Sequence, residues 1–469
     1  AVLVAGAICI GLCLFGIRGR MGYNPIKVSQ AYYCEDPFLN QLGVNPVFNL
    51  LTSTLDDNRK ENRTLHLMSE EDALSKVQKY LHRQGIDRLS PIARKVEREG
   101  TPNRRNVVLV FMESMSANLM GTFGSDKKLT PYLDSLYQQS LSFSHFYSSG
   151  IHTNHGIYST LYSFPAIMKR NAMKGSVIPV YSDCLPYCRM NGYCNLFFMT
   201  HESQYDNMNA FLRTNGFDEI YAQENYPSEK VVNSFGVQDD FMYQYALPIL
   251  NERAGTGNPF FSVLLSISNH PPYVIPPYFH PHSDVLEEQI VEYADWSIRQ
   301  FMQAAEKQPW FDNTIFVFLG DHGKMVGTPE CEMPQSYNHI PLMIYGKISS
   351  RGIRRFWWAG GCISYVVGLL NISYLQTISV SICWKKNVHC MFFTADNLIG
   401  ARDSVNMFIY SPDSQQEFKY KLEEGKLHAA TGTDEEAFRN LKDYCFSMLQ
   451  STESLVKEHK TLDKVSVKK

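Results

Sequence analysis

Between residues 106 and 346, short apolar runs alternate with segments that repeat apolar side chains at helical spacing. Continuous apolar runs of strand length occur at 106–112, 194–200, 259–268, 314–319 and 340–346, with helical patterns such as 129–140 and 289–307 between them. A strand that is apolar at every position is buried on both faces, as central strands of parallel sheets are. Strands alternating with helices predict an α/β fold: a doubly wound, mixed but mainly parallel sheet flanked by helices.

The first 17 residues are an uninterrupted apolar stretch that stops at Arg18 and Arg20. The stretch is long enough to cross most of a bilayer. It lacks the charged start and the small-residue cleavage site of a signal peptide. We therefore expect a transmembrane helix over 1–17, the last of a membrane domain whose earlier part is missing. A buried helix of a globular protein is the alternative.

Residues 18–103 are polar and helical in character, and we interpret them as a linker that leads away from the membrane. Ala73, Val77 and Leu81 are spaced four apart and predict a helix within 70–85 that stops at Gly85.

The rest of the chain divides into three parts. An α/β core is expected over 104–346, an anomalous segment over 347–390, and a small α+β portion with a tail over 391–469. In this last part a strand or hairpin precedes a helix, because Phe438, Leu441 and Tyr444 fall at helical spacing.

The composition argues against a nucleic-acid-binding protein and against a zinc ribbon. The chain has 469 residues, 44% of them hydrophobic and 19% charged, with a net charge of −3. This charge argues against a nucleic-acid binder held by a basic surface. The 11 cysteines fit no zinc-ribbon spacing, and they predict free thiols with at most one disulfide.

Polar side chains follow the apolar runs at the points where the predicted strands end. They are Glu113 after the first run, His201, Glu202 and Asp206 after the second, His270 after the third, and Asp321 and His322 after the fourth. Ligands of such sheets bind at the carboxyl ends of the strands. Two carboxylates and an imidazole suit Mn²⁺, Mg²⁺ or Zn²⁺.

The stretch GIHTNHG at 150–156 places a threonine at the start of a predicted helix. The hydroxyl of Thr153 can supply the missing fourth ligand. A metal lowers the pKa of a bound hydroxyl and a helix N-terminus favours negative charge, so the residues predict an alkoxide nucleophile. Gly150 and Gly156 suit a tight turn around it. Taken singly, each of these residues is more often an ordinary polar loop residue or a helix cap, whereas the whole set together favours an active site.

The motifs NVVLVFMES, GIHTNHGIYSTLYSFP, FFMTHESQYDN, NGFDEIY, SISNHPPY and FLGDHG resemble, in this order, the lipoteichoic acid synthase-like branch of the sulfatase and alkaline phosphatase superfamily. The resemblance spans roughly 100–346 and implies an alkaline phosphatase-like fold. Upstream, 18–25 and 45–53 resemble the segment that joins the membrane helices to the catalytic domain in Gram-negative members.

The resemblance implies a role for each matching residue. Thr153 is the nucleophile and a ligand of one divalent metal ion, Mn²⁺ or Mg²⁺ first and Zn²⁺ as an alternative. Glu113, Asp321 and His322 are the other ligands. His270 contacts the substrate phosphate, and His152 and His155 become neighbours of the site.

The implied reaction moves a phosphoglycerol-like or phosphoethanolamine-like head group from a phospholipid donor, through a phosphothreonine, to a glycan or lipid acceptor or to water. The implied location is the inner membrane, with the catalytic domain on the periplasmic side. The alternatives are a phosphodiesterase or sulfatase-like hydrolase and an inactive membrane-bound binding domain. The C/S-x-P-x-R motif of formylglycine sulfatases is absent, which argues against that route.

Two departures from the family concern the head-group pocket. Asp206 and Met208 stand where Gram-positive members that bind glycerol have tryptophan and arginine, and His201 lies near the family's histidine but not at its position. An acidic Asp206 can pair with an ammonium group such as that of ethanolamine. It can equally cap the helix that follows.

Residues 347–390 do not follow the family pattern. The uncharged stretch 356–375 is long enough for a second membrane segment, but such a segment would interrupt one folded domain. A pair of compensating reading-frame shifts is the preferred explanation, and it predicts poor packing over 349–390. His339, just before the last apolar run, is expected either near the metal or at an ordinary loop position.

Overall fold

The computed structural model describes residues 2–21, 25–34, 37–57, 65–81, 91–174, 178, 180–181, 184–347, 352–354, 362–376, 390–423, 425–430, 435–458 and 460–461. The described helices are α1 (Val2–Arg18), α2 (Pro37–Leu42), α3 (Pro46–Asp57), α4 (Glu70–Tyr80), α5 (Pro131–Gln139), α6 (Thr153–Tyr162), α7 (Cys184–Met190), α8 (Met208–Thr214), α9 (Asp239–Gly255), α10 (Leu286–Ala305), α11 (Cys362–Leu369) and α12 (Glu435–Lys457).

The described strands belong to one large sheet, one smaller sheet and two short pairs. They are β1 (Arg94–Val96), β2 (Asn106–Met112), β3 (Leu141–Phe143), β4 (Cys194–Met199), β5 (Glu219–Tyr221), β6 (Val231–Asn233), β7 (Gly236–Val237), β8 (Phe260–Leu265), β9 (Thr314–Gly320), β10 (Leu342–Tyr345), β11 (Gly352–Arg354), β12 (Tyr374–Gln376), β13 (Met391–Thr394), β14 (Ile399–Arg402), β15 (Asn406–Ser411), β16 (Gln416–Glu423) and β17 (Lys426–Ala429).

The large sheet has the strand order β11-β3-β10-β9-β2-β8-β4-β5 over the described residues. From β9 to β5 the strands run parallel, and β10 pairs antiparallel with β9. Every residue of β2, β8 and β9 is buried, because a hydrophobic core covers each face of the sheet. The predicted mixed, mainly parallel α/β sheet is confirmed.

The parallel strands carry their following residues to one edge of the sheet. Met112 at the end of β2 lies opposite Gly320 at the end of β9, and Phe111 lies opposite Leu265 at the end of β8. Met199 of β4 also pairs with Leu265. The loops that begin after these residues therefore start side by side.

The C-terminal part forms an antiparallel sheet from β13 to β17, with α12 packed on β14 and β15. Phe438, Leu441 and Tyr444 of α12 are buried, as their spacing predicts. The backbone N–H of Thr394 donates to the carbonyl of Ser149 at 2.9 Å. This bond ties the C-terminal sheet to the loop that leads into α6.

The N-terminal region differs in part from the prediction. The apolar stretch forms α1, and none of its residues is buried. Over the described residues, no helix is both long and apolar enough to cross a membrane. Helix α4 buries Ala73 and Val77 and packs against α12, so this part of the expected linker is docked on the folded domain. Gly85, the predicted stop, lies outside the described residues.

Part of the anomalous segment belongs to the core. Helix α11 packs against α6 and α7 and buries Ile363, Val366 and Val367, and β12 pairs with β1. The expectation of poor packing is wrong over 362–374, because apolar side chains at helical spacing fill the space beside α6. Residues 348–351, 355–361 and 377–389 lie outside the described part of the chain. The ten described cysteines are free thiols.

Candidate active site and metal centre

Three predicted ligands meet at the carboxyl edge of the large sheet. Glu113 follows β2, and Asp321 and His322 follow β9. One ligand atom from each lies within 4.8 Å of the others, and all three side chains are buried. His322 Nε2 is 3.4 Å from Asp321 Oδ2 and 3.7 Å from Glu113 Oε1. No other group of three such ligands is found in the part of the chain that the structure describes.

The hydrogen bonds around this cluster leave atoms free for a cation. His322 Nδ1 lies 2.8 Å from the carbonyl of Gly323, so Nδ1–H donates there and Nε2 faces the two carboxylates. Asp321 Oδ1 accepts from the backbone N–H groups of Ser114 and His322 at 2.9 and 2.8 Å. Asp321 Oδ2 is buried and has no hydrogen-bond partner.

The electrostatics of the cluster also favour a bound cation. Burial and the neighbouring Asp321 carboxylate hold the pKa of Glu113 well above its usual range. Two adjacent buried carboxylates are costly unless a cation compensates them. Oxygen and imidazole donors of this kind suit Mn²⁺, Mg²⁺ and Zn²⁺. The residues present therefore fit a divalent metal ion.

Thr153 is the first residue of α6, with His152 at the N-cap position. Its hydroxyl donates to Glu113 Oε2 at 3.3 Å, which places the predicted nucleophile directly beside the cluster. Gly156 lies inside the helix rather than in a turn. A Cβ on Gly156 would stand 2.3 Å from the carbonyl oxygen of Asp321, so the glycine lets the first turn of α6 rest on the loop that carries Asp321 and His322. The tight-turn prediction for Gly156 is wrong.

The two histidines beside Thr153 have different surroundings. His155 is buried, and burial holds its pKa well below the usual range, so the ring is neutral. His152 is half exposed, and its Nε2 lies 2.6 Å from Asp396 Oδ1 on the loop between β13 and β14. Neither belongs to the cluster of three ligands.

Asp206 lies next to the nucleophile helix and is already paired. Its Oδ1 is 2.8 Å from Lys174 Nζ, and its Oδ2 accepts from Asn154 Nδ2 at 3.4 Å. Asn207, not Asp206, holds the N-cap position of α8. The capping alternative for Asp206 is therefore wrong, and a substrate ammonium group would have to share this carboxylate with Lys174.

His201 and His270 differ in burial. His201 is buried, with Nδ1 3.0 Å from the carbonyl of Glu202 and no hydrogen-bond partner at Nε2. Burial lowers the pKa of His201 to about 4, so the ring is neutral at pH 7. His270 is more exposed, lies against the Phe235 ring at 4.3 Å, and places Nδ1 2.6 Å from the carbonyl of Pro271.

Two residues at the site were not predicted. Lys324 Nζ donates to Asn269 Oδ1 at 2.6 Å, and Asn269 Nδ2 donates to the carbonyls of Glu113 and Ser114 at 3.1 and 3.2 Å. Burial lowers the pKa of Lys324 to about 8. Asn269 directly precedes His270 in the SNH motif, and Lys324 follows His322 with one glycine between them. Their closeness in sequence to predicted site residues could have identified them.

His339 takes the ordinary loop position. Its ring stacks on Tyr147 with centroids 4.8 Å apart, and its Nε2 lies 3.1 Å from the carbonyl of Ser144. It is not among the three clustered ligands. Packing against aromatic rings accounts for its place beside β10.

A model of the Sulfatase family matches residues 105–355, more than half of the chain, and the chain belongs to this family. The lipoteichoic acid synthase-like protein YvgJ of Bacillus subtilis is 24% identical over 276 residues, covering 56% of this chain and 43% of that protein. Lipoteichoic acid synthase of Staphylococcus aureus is 22% identical over 287 residues, covering 56% and 42%. The chain thus spans less than half the length of the curated relatives it matches.

Two solved structures share the fold. One is a protein in the alkaline phosphatase superfamily from Vibrio parahaemolyticus, with a TM-score of 0.75 and 22% identity over 86% of this chain and 100% of that one. The other is the lipoteichoic acid synthase LtaP from Listeria monocytogenes, with a TM-score of 0.65 and 19% identity over 82% and 98%. The predicted lipoteichoic acid synthase-like branch and the alkaline phosphatase-like fold are confirmed. The relatives also support the predicted class of enzyme, a sulfatase-like transferase or hydrolase.

Proposed function

We propose that this sulfatase-family chain is a metal-dependent phosphotransferase that moves a phosphoglycerol-like or phosphoethanolamine-like head group from a phospholipid donor. The group passes through a phosphodiester on Thr153 to a glycan or lipid acceptor. The observation that carries the proposal is the position of the Thr153 hydroxyl, 3.3 Å from Glu113 at the start of α6 and beside two further buried ligands. The lipoteichoic acid synthases among its relatives support a lipid donor.

The chain's own residues can carry out both half-reactions. Thr153 Oγ1 attacks phosphorus and its proton passes to Glu113 Oε2, while the bond from phosphorus to the lipid oxygen breaks and that oxygen takes up a proton from water. The acceptor hydroxyl then attacks the same phosphorus and loses its proton to water, and Thr153 Oγ1 is released and takes its proton back from Glu113. The N-terminus of α6 favours the negative charge on the threonine oxygen in each step.

Glu113, Asp321, His322 and Thr153 would hold the divalent ion, with Mn²⁺ or Mg²⁺ as the first choices and Zn²⁺ as the alternative. Such an ion neutralises the phosphate and the attacking oxygen. Asn269 fixes the backbone of Glu113, and Lys324 fixes Asn269. These two residues keep the ligand set in place.

The head-group pocket is proposed to include His201, Asp206 and His270. His201 Nε2 is buried and unpaired in the described structure, so it is free to bond a hydroxyl of the head group. Asp206 reaches the nucleophile helix through Asn154. The Asp206–Lys174 pair favours a hydroxylated head group such as glycerol over a bare ammonium group, because the carboxylate already has a cationic partner.

We further propose that α1 inserts into the inner membrane and holds the catalytic domain at its periplasmic face. In support, the large apolar side chains of α1 are exposed, as Leu3 at 89% and Ile17 at 71% illustrate. Arg18 follows at the end of the helix. Burial of such a surface in lipid is strongly favourable.

Mass spectrometry after incubation with a lipid extract and Mn²⁺ tests the proposal. We expect an adduct with the mass of a phosphorylated head group on Thr153, and its mass identifies that group. An adduct on another residue, or none on a metal-loaded protein, refutes the assignment. Adding a glycan acceptor separates transfer from hydrolysis, because only transfer consumes the adduct faster when the acceptor is present.

A further inference from the structure

The residues that follow α1 pack against the rim of the proposed active site. We call residues 19–21 and 25–34 the N-terminal arm. Arg20 places a guanidinium nitrogen 2.5 Å from Glu202 Oε1, and the two side chains are 26% and 3% exposed. Glu202 directly follows His201 in the loop 201–207. An ion pair with one member this deeply buried orients its surroundings, because separating the charges removes the cationic partner of a buried carboxylate.

A second contact fixes the arm on α8. Asn209 Nδ2 donates to the carbonyls of Ser29 and Tyr32 at 3.3 and 3.0 Å. Tyr32 is itself buried in the main core. The arm is therefore attached to the folded domain at two places, within the loop 201–207 through Glu202 and just after it through Asn209.

The loop 201–207 has a backbone that needs support. Asp206 and Asn207 both have left-handed conformations, with φ of 49° and 64°. Such conformations cost free energy in residues other than glycine and persist where the surroundings determine them. Gln204 Nε2 donates to Glu202 Oε2 at 2.7 Å, and Asn207 Nδ2 donates to the carbonyl of Met173 at 2.6 Å. Arg20 supplies the ionic part of this support.

The N-terminal arm also carries a charged side chain, Lys27, that interacts electrostatically with Asp206 and Glu202. Burial lowers the pKa of Lys27, the positive charge of Lys174 lowers it further, and the carboxylates of Asp206 and Glu202 raise it in part. Lys27 of the arm thus belongs to the same set of charges as the Asp206–Lys174 pair. The arm and the head-group loop form one electrostatic unit.

We propose that the N-terminal arm is part of the head-group site, and that Arg20 is a positioning residue that holds His201 and Asp206 in their binding positions through Glu202. The inference rests on the proposed function. It links α1 to substrate binding, because Arg20 is two residues beyond the end of α1 and its Cα lies within about 8 Å of the helix. A head group bound beside His201 is therefore held close to the surface in which α1 is proposed to insert.

Arg20→Gln tests the proposal with two donors: vesicles that contain phosphatidylglycerol and phosphatidylethanolamine, and a water-soluble p-nitrophenyl ester of glycerol phosphate. We expect KM to rise roughly tenfold for both donors while kcat changes less than about twofold, because head-group binding is lost and the nucleophile is untouched. The reversed pair, Arg20→Glu with Glu202→Arg, should recover part of the KM. Arg253→Gln is the matched control, since it removes an ion pair to Glu219 from a side chain that is 27% exposed.

An unchanged KM in Arg20→Gln overturns the proposal. So does a fall in kcat with KM unchanged, which is the mark of a merely structural role, and so does a rise confined to the vesicle donor, which would assign Arg20 to membrane binding. Amide hydrogen exchange of residues 201–207 gives a readout without turnover: exchange should become faster in Arg20→Gln and not in Arg253→Gln. If the wild-type chain turns over neither donor, the proposed function fails, and the exchange measurement still decides the role of Arg20.

Discussion

Gly156 of α6 lies directly against the backbone of Asp321, so close that a Cβ on the glycine would stand 2.3 Å from the Asp321 carbonyl oxygen. This approach joins the helix that carries Thr153, the proposed nucleophile, to the loop that carries Asp321 and His322, two of the proposed metal ligands. A side chain of any size must push the two apart. The spacing between Thr153 and the metal centre therefore depends on a glycine three residues away from the nucleophile.

Gly156→Ala should lower both activity and stability. The added methyl group meets backbone, which cannot rotate away, so we expect a loss of about 1–3 kcal/mol in the free energy of unfolding. Turnover should fall by more than the loss of folded protein accounts for, because the substitution displaces Thr153 from Glu113. Gly255→Ala in α9 is the matched control: its Cβ meets nothing within 4 Å, so it should leave turnover unchanged and raise stability by at most about 1 kcal/mol through helix propensity. Equal behaviour of the two variants would contradict the packing argument.

Thr153→Ala should abolish the covalent adduct and lower turnover at least about a thousandfold, as loss of a nucleophile does. Stability should change little, because His152 rather than Thr153 occupies the N-cap position and the hydroxyl bond to Glu113 is long. Thr153→Ser keeps the hydroxyl and should keep a detectable adduct. Intact turnover in Thr153→Ala would remove this residue from the reaction.

A bound divalent metal ion should raise the free energy of unfolding of the wild-type chain far more than that of the Glu113→Gln variant. A bound ion offsets two buried carboxylates, and at a hundredfold excess over its Kd it adds about 2.7 kcal/mol to the free energy of unfolding. Melting curves with EDTA and with Mn²⁺ measure the difference. Without metal, the Glu113→Gln variant should be more stable than the wild type. The folded protein raises the pKa of Glu113, so above the ordinary pKa the unfolded chain loses this proton more readily than the folded chain, and the free energy of unfolding falls. A metal-free Glu113→Gln less stable than the wild type at pH 8 would contradict this account.

His339→Gln should reduce the loss of stability at acidic pH. Burial lowers the pKa of His339 to about 4, below its ordinary value of 6.5. Between these values the unfolded chain takes up a proton that the folded chain does not, so stability falls as pH drops, by at most about 1.4 kcal/mol per pH unit. Chemical denaturation at pH 7 and pH 5 measures the change. The exposed His428, replaced by glutamine, is the control and should leave the wild-type pH dependence intact.

The fold class and the proposed metal ligands could be predicted from local sequence patterns. The continuous apolar runs of β2, β8 and β9 identified buried parallel strands, and parallel strands place their following residues at one edge. Glu113, Asp321 and His322 therefore meet although up to 209 positions separate them. Thr153 was recognisable because it begins a helical pattern in a motif of the family.

Other features could not be read in this way. The segment 362–374 looked foreign beside the family pattern, yet its apolar side chains fill the core beside α6. Asp206 looked free for a substrate ammonium group or a helix cap, and the structure pairs it with Lys174. In both cases the environment of the residues depends on neighbours that are distant in sequence. The apolar content of a segment and the order of motifs do not identify those neighbours.

The sequence by itself determined the α/β architecture, the edge of the sheet that carries the chemistry, and the four residues proposed to hold and use the metal. Periodicity and strand direction are properties of a few consecutive residues, so they can be read directly. Only the tertiary structure decided the close approach of Gly156 to Asp321, the Asp206–Lys174 pair and the contact of Arg20 with Glu202. That last contact joins residues 182 positions apart, and it exists because packing of the arm on α8 brings two distant charges within bonding distance.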